Sequence, residues 1–87
     1  MKFIAYVMTD DSDSPKDFEI EMSEKWKAME EYADADNPSL EDGDWYDDNL
    51  EYFEKELRKN LAKRLKNYPW YSLCCVYTVN NGFVFET

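Results

Sequence analysis

The chain of 87 residues is long enough for one domain (residues 1–87) with a single hydrophobic core, and too short for a second core. Hydrophobic residues make up 44% of it and aromatic residues 17%, which excludes a solvated, disordered acidic tail. The formal net charge of −10 excludes direct binding to nucleic-acid backbones and argues against an anionic membrane surface, because both would repel the chain.

The first 38 residues are predicted to form a hairpin followed by a helix. Residues 2–8 are apolar at every position after Lys2, which predicts a strand at the centre of a sheet, covered on both faces. Residues 17–22 alternate between charged and apolar side chains, as expected of a half-buried strand. Ser23 is the predicted N-cap of a helix whose apolar positions recur at helical spacing and which ends near residues 34–38.

A longer helix is predicted to follow. Residues 34–43 contain Pro38 and Gly43 and are predicted to form a loop. Asp44 is the predicted N-cap of a helix that ends at about Lys66. Its apolar positions fall on one face over five turns, so we expect that face to contact the core.

The last segment is predicted to form a second hairpin. Residues 70–79 are rich in β-branched and aromatic side chains, and residues 83–86 are predicted to return as the last strand. Asn80-Asn81-Gly82 favours a type I′ turn between them. The aromatic and apolar residues predicted to face the core here are Tyr77, Val79, Phe83 and Phe85. The predicted fold class is α+β, with two layers: a four-stranded, largely antiparallel sheet and two helices on one face, in the order ββααββ.

Two features common in enzyme active sites, histidine and a glycine-rich loop, are missing from the sequence. There is no histidine, which removes the commonest general base and metal ligand, and two glycines leave no glycine-rich phosphate loop. The spacing of an EF-hand calcium loop fails, because its fifth position is Pro38 when the loop starts at Asp34 and Pro15 when it starts at Asp11. We therefore predict a protein that is not an enzyme, with no metal site and no cofactor.

The two cysteines, Cys74 and Cys75, are adjacent in the chain. On a strand they would point to opposite faces, so a disulfide between them would strain the backbone. Two reduced thiols are typical of a cytosolic protein. Because the sequence also contains no run of about 18 apolar residues and no signal-peptide pattern, it predicts a soluble protein of the cytoplasm.

Acidic residues are concentrated between residues 28 and 54, where there are eleven carboxylates and no lysine, arginine or histidine. Such a block repels itself, which predicts a basic partner that supplies the missing positive charge. The alternative is a solvated acidic surface that only keeps the protein soluble. Residues 55–66 hold six bases against one acid. The dipole of the long helix accounts for that positive end, with Glu51–Lys55 and Glu54–Arg58 as expected ion pairs one turn apart.

Two aromatic residues lie beside these acids on the predicted long helix, away from its core face. Trp45 and Tyr52 are therefore candidate anchors that would receive arginine side chains of the partner. The alternative for Trp45 is that it packs beneath the predicted loop as an outlying part of the core. The predicted partner-binding residues are Glu30, Glu31, Asp34, Asp36, Glu41, Asp42, Asp44, Trp45, Asp47, Asp48, Glu51 and Tyr52.

The chain resembles a class of phage and mobile-element proteins in three respects. It is small, its first 54 residues are strongly acidic, and it lacks the side chains of a recognisable catalytic site. The class consists of the small acidic inhibitors that mimic DNA, of the anti-CRISPR and anti-restriction type. The resemblance implies a non-enzymatic, phage-encoded inhibitor in the cytoplasm of the host cell. Its partner would be the basic nucleic-acid-binding surface of a CRISPR effector or a restriction enzyme.

A second, local resemblance covers residues 45–57, WYDDNLEYFEKEL. This segment is similar to the part of barstar-type ribonuclease inhibitors in which paired aromatic residues precede an acid-Asn-Leu-acid helix start. It implies an alternative function, an immunity protein or antitoxin whose acids cover the active site of a basic nuclease toxin. A third alternative is a structural or regulatory interaction module, for which we expect a surface of evenly mixed charge.

Overall fold

Four strands and two helices are formed by the 87 residues, all of which the computed structural model describes. The elements in chain order are β1 (Lys2–Thr9), β2 (Lys16–Glu21), α1 (Lys27–Asp34), α2 (Leu40–Arg64), β3 (Tyr71–Thr78) and β4 (Phe83–Glu86), with one turn of 3-10 helix at Glu24–Trp26 before α1. The strands pair antiparallel in the order β2-β1-β3-β4. The predicted α+β fold and its ββααββ order are confirmed. Neither helix combines the length and the apolar sequence needed to cross a membrane.

β1 lies at the centre of the sheet, between β2 and β3, as its apolar sequence predicts. The residues that face the helices are fully buried: Phe3, Ala5 and Val7. The opposite face carries residues that are only half-buried: Ile4, Tyr6 and Met8. The prediction that both faces of this strand are covered is therefore wrong, because both helices lie on one side of the sheet.

β3 contains a bulge that reverses the facing of the side chains beyond it. Tyr6 pairs with Cys75, but the next residue, Val7, pairs with Leu73, so Cys74 is an extra residue in the ladder. Because the side chains of a strand alternate, one extra residue moves every later side chain to the other face.

This bulge explains why part of the predicted core is exposed. Tyr77 is half-buried on the face away from the helices, and Val79 and Phe83 are 52% and 49% exposed. The prediction that these three residues lie in the core is wrong. Phe85 is buried, as predicted, after a second irregularity between β3 and β4.

The second half of α2 packs on the sheet through residues spaced about one turn apart, and these are Phe53, Leu57, Leu61 and, just beyond the helix, Leu65. Phe53 is fully buried at the centre of an aromatic cluster. Its ring centroid lies 4.8 Å from that of Phe3, 5.3 Å from Trp26 and 6.2 Å from Phe85. Edge-to-face pairs of this kind add about 0.5–1.5 kcal/mol each beyond the area they bury. Phe53→Ala is therefore expected to lower the free energy of unfolding by about 3–5 kcal/mol.

α2 begins at Leu40, before its predicted start. Ser39 is its N-cap, and the Ser39 hydroxyl oxygen accepts a hydrogen bond from the backbone N–H of Asp42 at 3.2 Å. The prediction of Asp44 as the cap is therefore wrong. An earlier serine followed by acids in the first turn satisfies the helix N-terminus, so the predicted loop shrinks to residues 35–39.

Ser23 precedes the 3-10 turn but makes no capping hydrogen bond, contrary to prediction. Its hydroxyl and its backbone N–H instead donate to the carboxylate of Glu56 in α2, each at 2.9 Å. Burial raises the pKa of Glu56, but the hydrogen bonds from Ser23, with smaller contributions from Trp26 and Lys25, hold that pKa below its ordinary value. This contact ties α2 to the end of β2.

The turn between β3 and β4 is not the predicted type I′ turn. Asn81 has a φ of 70°, whereas Gly82 is outside the positive-φ region, and a type I′ turn needs positive φ at both residues. Gly82 is needed here for a different reason, the close approach of α1. A Cβ added to Gly82 would lie 2.5 Å from the backbone oxygen of Ala33.

Gly82→Ala is expected to lower the free energy of unfolding by about 1–3 kcal/mol, because the added methyl group overlaps the backbone of α1. Gly43→Ala is the matched control. Gly43 lies inside α2, where an added Cβ would meet only the Tyr32 hydroxyl oxygen at 3.8 Å, and alanine favours a helix over glycine by up to about 1 kcal/mol. Urea unfolding followed by circular dichroism measures both changes. Equal stabilities for the two variants would contradict this packing of α1 on the turn.

Candidate functional site

The ten predicted carboxylates lie on one continuous part of the chain, formed by α1, the loop after it and the first half of α2. All are exposed except Glu30, which is half-buried. We call these ten residues the acidic surface: Glu30, Glu31, Asp34, Asp36, Glu41, Asp42, Asp44, Asp47, Asp48 and Glu51.

Tyr46 holds the two helices that carry the acidic surface together. Its ring stacks on that of Tyr32 in α1, with 4.5 Å between centroids and 20° between the planes. Its hydroxyl donates a hydrogen bond to the backbone oxygen of Val84 in β4. Burial raises the pKa of Tyr46, and the nearby Tyr32 and Asp47 raise it further, so the phenol stays protonated and able to donate. One side chain thus fixes the first half of α2 to both α1 and the sheet.

The two candidate anchors differ in exposure. Trp45 is half-buried and packs against the core, so only part of its side chain is available to a partner. It lines a groove of about 270 Å³ between the helices, together with Glu31 of α1 and Asp42 of α2. Tyr52 is 63% exposed and makes no aromatic contact within the chain. Tyr52 is therefore the more accessible of the two.

No carboxylate of the acidic surface forms an ion pair within the chain. The chain forms five ion pairs, whose acidic partners are Asp11, Glu19, Glu21, Glu24 and Glu54. None of these belongs to the acidic surface. Of the two ion pairs predicted on α2, Glu54–Arg58 is formed at 2.7 Å, and Glu51–Lys55 is not. The negative charge of this surface is therefore left to solvent or to a partner.

Asp34 differs from the rest of the acidic surface because its carboxylate is used inside the fold. It accepts hydrogen bonds from the hydroxyl of Thr78 and, at 3.2 Å, from the side-chain amide of Asn80. Thr78 is fully buried. Asp34 therefore joins the end of α1 to the turn between β3 and β4, and the other nine carboxylates make no such contact.

Sequence reasoning did not anticipate two features of the molecule. The first is the pair of hydrogen bonds that Asp34 accepts from Thr78 and Asn80, which lie 44 and 46 positions later in the chain. No local sequence pattern indicates a contact over that distance. The second is the position of Tyr77 and Phe83 on the face away from the helices, because no sequence pattern indicates the bulge at Cys74. No group of three or more histidine, cysteine, aspartate or glutamate side chains is arranged to hold a metal ion.

Asp34→Ala is expected to lower the free energy of unfolding by about 1–3 kcal/mol, because the Thr78 hydroxyl and the Asn80 amide lose their acceptor. Asp36→Ala removes the same charge from an exposed loop position and is expected to change it by less than about 0.5 kcal/mol. Thermal and urea unfolding of both variants measure the difference. Similar losses from both would mean that the charge matters and the hydrogen bonds do not.

Comparison with protein-family models, with curated proteins and with solved structures gives no match to this chain. Charge, exposure and contact geometry are therefore the grounds on which a function is proposed.

Proposed function

We propose that this protein is a non-enzymatic inhibitor, of the kind that phages encode, which occupies the basic nucleic-acid-binding surface of a host defence protein as a mimic of DNA. The target class is a CRISPR effector or a restriction enzyme. The observation that carries the proposal is a set of nine carboxylates on one scaffold, none of them paired with a base or used inside the fold.

The spacing of these acids supports the mimicry. On α2, Asp47 and Asp48 lie three and four residues after Asp44, and Glu51 lies four and three residues after them. Side chains at such intervals are about 5–6 Å apart on a helix surface, which is on the scale of neighbouring phosphates. A groove that binds a phosphate backbone would therefore contact negative charges on this helix at a spacing similar to that of phosphates.

The fold gives these charges a fixed position. The first half of α2 is held by its Ser39 cap and by the contacts of Tyr46, so the acids need no ordering when a partner arrives. Preorganised charges steer a basic partner and raise the association rate more than they raise the affinity. Tyr52, exposed beside Asp48 and Glu51, supplies an aromatic face on which an arginine can stack.

A basic nuclease toxin is the second candidate target, since the barstar-like segment at residues 45–57 lies within α2. That segment carries Asp47, Asp48 and Glu51, all exposed. The same acids would then cover an active-site cleft instead of a DNA channel. The identity of the captured protein separates these two targets.

Asp47→Lys combined with Asp48→Lys is expected to abolish inhibition and to weaken binding to the target by at least about tenfold, because like charges are brought together in the complex. Asp10→Lys combined with Asp13→Lys is the matched control. It makes the same change in net charge at exposed positions outside the acidic surface. We expect the control to bind within about threefold of the unchanged protein.

The assay is capture of proteins from bacterial lysate on the immobilised chain, with mass spectrometry, followed by nuclease assays on the purified target. A duplex DNA competitor and an increase in salt should both release the target, because salt screens exposed charges. Binding that resists both DNA and salt would overturn the proposal. Capture of a ribonuclease, with no DNA-binding protein, would select the toxin-inhibitor alternative.

A further inference from the structure

The face of the sheet that is turned away from the helices carries a row of apolar side chains. Cross-strand pairing sets Ile4 opposite Tyr77, Tyr6 opposite Cys75, and Tyr77 opposite Phe83. We call the row the sheet patch, and its members are Ile4, Tyr6, Met8, Cys75, Tyr77 and Phe83. An antiparallel sheet with one solvated face usually presents polar residues there, so this row departs from the normal alternation.

The residues of the sheet patch shield one another, and no helix covers them. The ring of Tyr77 meets Tyr6 edge to face at 5.6 Å and Phe83 at 5.5 Å. Phe83 remains 49% exposed and the others are half-buried. Burial raises the pKa of the Cys75 thiol, with Cys74 and Glu86 raising it further, so this thiol adds no negative charge to the row at neutral pH. A contiguous apolar face of this kind is typical of a contact surface.

Carboxylates flank the sheet patch on both sides. Asp17 and Glu19 of β2 lie opposite Tyr6 and Ile4, and Glu86 of β4 lies opposite Cys75. The nearest base on this face, Lys2, is already paired with Glu19 at 3.1 Å. The flanks of the row are therefore negative.

The negative flanks of the sheet patch favour one kind of binding partner over two others. Aromatic side chains on a sheet can stack on nucleic-acid bases, but these carboxylates would repel the phosphates. A second copy of the chain would bring equally acidic flanks against them, and each copy carries a net charge of −10. A protein segment with an apolar centre and basic flanks meets neither obstacle.

We propose that the sheet patch docks a protein segment whose aromatic or aliphatic side chains are flanked by lysine or arginine. The segment's apolar side chains lie on Tyr6, Tyr77 and Phe83, and its bases pair with Asp17 or Glu86. This site uses none of the residues of the acidic surface, and it stands or falls independently of the function proposed above.

The test is selection from a displayed library of random 12-residue peptides against the full chain at about 0.15 M salt, where long-range attraction to other carboxylates is screened. Enriched peptides are expected to contain aromatic or aliphatic residues. Their mean net charge is expected to exceed that of the unselected library by about two positive charges. Phe83→Thr should weaken their binding at least about fivefold, as loss of a contact hot spot does. Leu40→Ser is the control, since Leu40 is 91% exposed at the start of α2, and it should change binding less than about twofold.

Backbone amide chemical shifts locate the bound peptide and show that each variant is folded. Shifts confined to the four strands of the sheet, β1 to β4, support the proposal. Failure to enrich basic apolar peptides, unchanged binding by Phe83→Thr, or shifts centred on α1 and α2 would overturn it. So would a Phe83-dependent dimer in sedimentation equilibrium, or Phe83-dependent binding of a labelled single-stranded RNA, because either result would assign the patch to another occupant.

Discussion

The burial of Phe53 against three other aromatic rings is the contact on which the rest of the structure depends. It joins α2 to the central strand through Phe3, to the turn before α1 through Trp26, and to the edge strand through Phe85. The second half of α2 supplies the remaining core residues of that helix, and its first half buries none. Because stability is concentrated at one end of α2, the other end is free to carry charge that contributes nothing to the core.

The division of α2 into a packed half and a charged half explains how the fold tolerates its acids. Exposed carboxylates interact weakly through water, so an unpaired one costs the folded state little. Those in the first turn also favour the positive end of the helix dipole, after the Ser39 cap. Asp34 is the one acid of the group whose carboxylate accepts hydrogen bonds within the fold. It thereby gives the hydroxyl of the fully buried Thr78 an acceptor, as buried polar groups require.

The strand and helix order could be predicted because it depends on local periodicity. Alternation at Phe18 and Ile20, and one apolar residue per turn from Phe53 onward, are each visible within a few residues of sequence. Features that depend on contacts between distant parts of the chain could not be predicted. Ser39 and Asp44 are both residue types that can cap a helix, and local sequence does not show which of them does so. The bulge at Cys74 exists only through the pairing of β3 with β1. The acidic surface was predicted from composition, but its tethering by Tyr46 was not.

The length of α2 places its acidic first half far from its basic last turn. At about 1.5 Å per residue its 25 residues span about 37 Å, so in a molecule measuring 41 × 21 × 19 Å the helix must follow the longest axis. Along α2 itself, acids at one end and bases at the other form an electric dipole parallel to that axis. The field of a cationic cleft would exert a torque on this dipole and rotate the protein acid end first while it is still diffusing. Orientation, which normally limits how often protein encounters succeed, would then be selected before the two surfaces touch.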